Sequence, residues 1–221
     1  MKSKKWLYEN GLSVALFACF LLTEIGLSVV GHNQYNQQQT EHQLPPITYL
    51  QYLTSGAFIG VTMENWESEF LQMAIYVLFT AFLYQKGSAE SKTPGQHEYV
   101  DADPRAVMTT RSTPWPVRRG GVLLRLYENS LSIALLTLFL LSFFLHAMGS
   151  AQEYNDKQTL HGHPAISFHQ FLGTAQFWFE SLQNWQSEFF SVGMMVVLTI
   201  VLRQRGSPES KPVAMPHGEN P

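Results

Sequence analysis

Two stretches, 11–31 and 130–149, run for about 20 residues composed mostly of Leu, Phe, Val, Ala and Ile. That is the length a helix needs to cross a hydrocarbon core of roughly 30 Å. Two further apolar runs, 70–84 and 189–202, are shorter, and each follows semi-polar sequence of helical character. Fifteen residues of helix give only about 22 Å, so these helices are expected to begin earlier and to carry 65–70 and 184–189 up to the outer membrane boundary. A soluble bundle would show a polar residue every third or fourth position along each helix, and these stretches do not. The pattern predicts an all-α fold: an integral membrane four-helix bundle of two parallel two-span repeats, with short interfacial helices in the external segments.

The repeat is explicit. Sliding the chain on itself by 119 residues aligns 7–92 with 126–211 without a gap, and 35 of the 86 pairs are identical. The most distinctive shared string is Asn65-Trp66-Glu67-Ser68-Glu69-Phe70 against Asn184-Trp185-Gln186-Ser187-Glu188-Phe189. Tyr8-Glu9-Asn10 recurs as Tyr127-Glu128-Asn129, His42 as His161, Pro45 as Pro164, and Gly87-Ser88 as Gly206-Ser207. The chain therefore divides into a first two-span repeat (7–92), a flexible cytoplasmic linker (93–125), a second two-span repeat (126–211) and a disordered tail (212–221). Pro, Gly, Thr and charge dominate 93–120, as in linkers.

Charge sets the orientation. No Lys or Arg lies between Trp6 and Gln85, and only Lys157 lies between Leu126 and Leu202. By the positive-inside rule both termini and the linker face the cytoplasm, with 32–65 and 150–184 outside. Each repeat holds an even number of spans, so the two copies share one orientation. Arg118, Arg119 and Arg125 suit anionic headgroups as well as topology. The Lys-rich start before the first apolar run resembles a signal peptide, but its counterpart at 130–149 lies mid-chain, so both are read as retained spans. Cys19 is the only cysteine and sits inside the first span, which excludes a disulfide framework and a cysteine metal site.

Short helices are expected to start at 49 and 168. Thr48 with Gln51, and Ser167 with Gln170, have capping-box spacing, and Ile47 and Ile166 precede them as hydrophobic staples. Tyr8-Glu9-Asn10 and Tyr127-Glu128-Asn129 are read as interfacial anchors at the N-termini of the odd spans.

The candidate functional cluster is Asn65, Trp66, Glu69, Asn184, Trp185 and Glu188, with His42 and His161 as partners. Asn65 and Glu69 are i and i+4 on a helix and share a face. Glu64 and Glu67 become Gln183 and Gln186 in the second copy, whereas Glu69 and Glu188 stay carboxylates, which singles those two out. Glu24 and His146 are ionisable groups in the odd spans and form a candidate intramembrane pair, since such groups face a protein interior or water. His161, His163 and His169 are ligand types for a divalent metal, but only His161 recurs in the other copy. No metal, cofactor or catalytic residue is assigned, and no phosphate-binding loop, nucleophile elbow or haem signature occurs.

The strings Tyr-Glu-Asn-x-Leu-Ser, 64–73, 85–92, Trp115-Pro116-Val117-Arg118-Arg119-Gly120-Gly121 and 183–189 resemble a family of bacterial integral membrane proteins known only as a domain of unknown function. The resemblance covers nearly the whole chain. It implies a bacterial inner membrane location, and no activity or ligand. The expected partners are the lipid bilayer and a protein partner or a second copy, with no nucleic acid. The expected function is that of a non-enzymatic scaffold or accessory protein acting through contacts. Two alternatives stand beside it: a transporter or channel component using Glu69 and Glu188, and an outer-surface metal- or lipid-handling protein.

Overall fold

The computed structural model describes residues 2–221. Its elements run α1 Lys2–Glu9, α2 Gly11–Glu41, α3 Tyr49–Leu53, α4 Gly56–Phe82, a 3-10 turn at Tyr99–Asp101, α5 Trp115–Arg119, α6 Gly121–Glu128, α7 Ser130–Leu160, α8 Phe168–Leu172 and α9 Ala175–Val201. The protein is all-helical, with no strand among the described residues. Helix lengths match between the aligned halves: 31 residues for α2 and α7, five for α3 and α8, 27 for α4 and α9.

Helices α2 and α7 are long and apolar enough to cross a membrane, and only 6% and 17% of their most apolar stretches are buried. A helix this apolar that formed a soluble core would be largely buried. Both continue some ten residues past the apolar runs, through polar sequence that offers no Gly or Pro break until Pro45 in the first copy and Gly162, at φ +74°, in the second. Helices α4 and α9 start well before Phe70 and Phe189, as their short apolar runs require.

One local expectation is corrected. Asn10 and Asn129 each stand between two helices, closing the short α1 and α6 while their backbone carbonyls accept from Val14 N and Ile133 N in α2 and α7, but the expected side-chain cap on α2 is not made. Asn10 Nδ2 donates back to Trp6 O, and Asn129 Nδ2 to Arg125 O, both at 2.9 Å. The back-bond to the carbonyl four residues earlier turns the amide toward the preceding helix, away from the N–H groups that open the next one.

The chain forms two compact units, 1–62 with 145–171 and 63–144 with 172–221. In the first unit the turns after α2 and α7 are built identically in both copies. Asn36 brackets Ile47, its Oδ1 accepting from Ile47 N at 2.8 Å and its Nδ2 donating to Ile47 O at 3.0 Å. Asn155 brackets Ile166 at the same distances. The expected capping boxes follow, Thr48 with Gln51 and Ser167 with Gln170. Tyr52 and Phe171 are then buried, against Tyr35 and Tyr154 respectively.

Also in the first unit, the start of α4 crosses α7 at backbone contact. A Cβ on Gly149 would lie 2.5 Å from Gly60 N and 2.9 Å from Gly56 O, so this approach requires glycine. Gly56 and Gly60 have the small-xxx-small spacing by which membrane helices approach closely.

In the second unit, the loops after α4 and α9 share one design. Gln85 N donates to Ser91 Oγ and Gln204 N to Ser210 Oγ, while Gly87 and Gly206 take φ near +85°, a backbone region open to glycine. The residues read as a disordered tail form turns: Asn220 Nδ2 donates to Ser91 O at 2.8 Å, and its Oδ1 accepts from Gly87 N at 2.7 Å.

Candidate functional site

The Asn-Trp-x-Ser-Glu-Phe motifs lie at the middle of α4 and α9, within the second unit, and there the two copies meet. Trp185 Nε1 donates to Glu67 Oε1 at 2.9 Å, and Glu67 is fully buried. Asn184 Nδ2 donates to Glu64 Oε1. Trp185 is held by aromatic edges from Phe139 and Trp178, with ring centres at 6.3 and 6.5 Å. Ser68 and Ser187 turn their hydroxyls onto Asn65 O and Asn184 O, each at 2.8 Å, which ties both motif serines into their own helices.

Of the residues selected from sequence, Asn184 and Trp185 are therefore in contact with the first copy's motif. Asn65 is exposed, and Trp66 is half-buried with its ring edge-on to Phe70. Glu69 is exposed and Glu188 half-buried, close enough for their charges to interact. His42 and His161 face each other in the first unit, with ring centres 6.2 Å apart. Glu24 accepts from Thr62 at 3.5 Å, and His146 is fully buried. His161, His163 and His169 are exposed, with His161 Nδ1 at 2.7 Å from Lys157 O.

Sequence comparison passed over Glu64 and Glu67 because the other copy carries Gln at those positions. A Gln side chain keeps an acceptor oxygen, so Glu-to-Gln exchange is compatible with the bonds seen here. The signal was present, since the substitution conserved the acceptor while discarding the charge. Chemically the cluster consists of amide and indole N–H groups directed at carboxylates, an arrangement that locks two helices together.

The chain is all-helical, and two of its helices are long and apolar enough to cross a membrane. Residues 3–220 match the family described as a domain of unknown function (DUF6766), and the chain belongs to it. No curated protein and no solved structure matches it.

Proposed function

We propose that this chain is a four-span integral protein of the bacterial inner membrane that acts through contacts, as a scaffold or accessory subunit and not as an enzyme. The observation that carries the reading is the division of surface. The apolar residues of α2 and α7 are left outward, while polar side chains of α4 and α9, among them the fully buried Glu67, bond one another. Outward apolar surface suits lipid or a partner helix, whereas reactive chemistry would need polar groups left free to meet a substrate. At 27 residues, or about 40 Å, α4 and α9 are long enough to span.

Single cysteines placed at residues 40, 110, 160 and 215 of a Cys19→Ser background test the topology. Membrane-impermeant thiol reagent added to intact cells should label 40 and 160 and spare 110 and 215; labelling of 110 overturns the four-span arrangement. Cross-linking in native membranes tests the role: a reproducible cross-linked partner or dimer is expected, and a chain that stays monomeric and unlinked under all growth conditions overturns it.

A further inference from the structure

Between the second halves of α4 and α9, in the second unit, lies an open groove of about 550 Å³ lined by Ile75, Val192 and Val196 and by Phe79 and Leu83, which are more than half exposed. Its volume is that of a small-molecule site. At one end sits Glu90, from the loop after α4. Glu90 Oε2 accepts from the Tyr76 hydroxyl, whereas Glu90 Oε1 is buried and has no hydrogen-bond partner. Buried polar atoms nearly always have partners, and an unmatched one calls for an explanation.

The loop is fixed in this position. Ser88 is fully buried, its hydroxyl 2.9 Å from Thr199 Oγ1 on α9, and Glu90 N donates to Ser88 Oγ at 3.1 Å. The neighbouring cation is already committed: Lys92 Nζ donates to Asp101 at 2.7 Å and to Ala81 O at 3.0 Å. The arrangement occurs once. In the second copy Tyr76 is replaced by Met195, and Glu209, the counterpart of Glu90, is exposed.

We propose that this groove binds a lipophilic amine, with the ammonium on Glu90 Oε1 and the alkyl chain along the apolar walls. An ammonium brings N–H donors and the complementary charge, while a fatty acid would set like charges together and an alcohol would supply a weaker, uncharged bond. Water could satisfy the oxygen but would leave the apolar walls unfilled. The inference rests on the groove and its carboxylate, independently of the number of spans.

The test uses dodecylamine carrying a diazirine in its chain, added to the full protein in phosphatidylcholine nanodiscs and photolysed, with the labelled peptides mapped. Label should concentrate on the groove segments of α4 and α9. Unlabelled dodecylamine should compete at least tenfold better than dodecanol or dodecanoate. Glu90→Gln should erase that preference, and Glu209→Gln should leave it intact. Label spread evenly over the lipid-facing helices, equal competition by all three compounds, or a Glu90→Gln protein that still prefers the amine would each overturn the proposal. The wild-type competition series decides the matter even if Glu90→Gln folds poorly.

Discussion

The aligned positions show compensating pairs of residues. Ser28 and Tyr49 bond through their hydroxyls at 2.7 Å, and the second copy has Ala147 and Phe168, losing both hydroxyls together. Removing both partners of a buried bond is nearly neutral, whereas removing one leaves the other unsatisfied. Tyr52 places its phenol against Gly31, where a Cβ would fall 2.1 Å from the oxygen; the second copy has Phe171 and Ser150, without the phenol and with the Cβ. Gly31→Ala alone should therefore destabilise the protein, and in a Tyr52→Phe background it should cost less by about 0.5–3 kcal/mol, read as the coupling in a double-mutant cycle of detergent unfolding. Where compensation fails, an orphan remains: Thr62 bonds Glu24, but Ser181 Oγ is buried without a partner, and the position aligned with Glu24 is Phe143. At the motif contact, Trp185→Phe should cost about 1–3 kcal/mol by stripping Glu67 of a donor. Glu67→Gln, which keeps the acceptor, should cost less, with helix loss in circular dichroism as the measure.

Among the elements, the α4–α7 crossing depends on glycine, and Gly149→Ala must push a backbone aside because its Cβ would meet Gly60 Cα at 2.8 Å. Overpacking of this kind costs about 1–3 kcal/mol, so the variant should unfold at visibly lower denaturant than wild type. The linker offers a contrasting case governed by charge. Lys92 and the backbone N–H of Glu98 both donate to Asp101 and hold its carboxyl below the usual range, while the same bond raises the Lys92 ammonium. A depressed acid stabilises above its unfolded value, about 3.9 for Asp, and that contribution fades as pH falls through the folded value; the raised lysine loses its share only as pH climbs through its own elevated value. Amide protection across 93–101 should then hold steady from about pH 5 to 9 and decline below about pH 4 in hydrogen exchange.

For the molecule as a whole, the closing residues behave as part of the fold. Lys211 is almost fully buried, and its ammonium donates to the carbonyls of Pro216, His217 and Glu219 at 3.3, 2.8 and 2.9 Å. Burial, with Arg203 nearby, pushes its pKa down. Asn220 meanwhile serves the loop after α4. Truncation after Lys211 should speed hydrogen exchange across 85–92 by tenfold or more, while the bracketed turn at Ile47 exchanges as before.

The order and type of the long elements could be read directly from the chain, because an apolar run of spanning length or a capping box acts over a few neighbouring residues. The 119-residue register likewise identified Ile47 and Ile166, and the helices behind them, as equivalents. What the sequence left undecided were choices between distant groups: which carboxylates of the motif face the other copy, how Asn220 reaches Gly87, and how closely Gly60 and Gly149 approach. Glu69 and Glu188 stood out because they are identical in both copies, yet Glu64 and Glu67 make the bonds to Asn184 and Trp185. Identity between copies records what each can tolerate, whereas a hydrogen bond depends on where a donor lands in space, and packing between residues more than a hundred positions apart alone decided that.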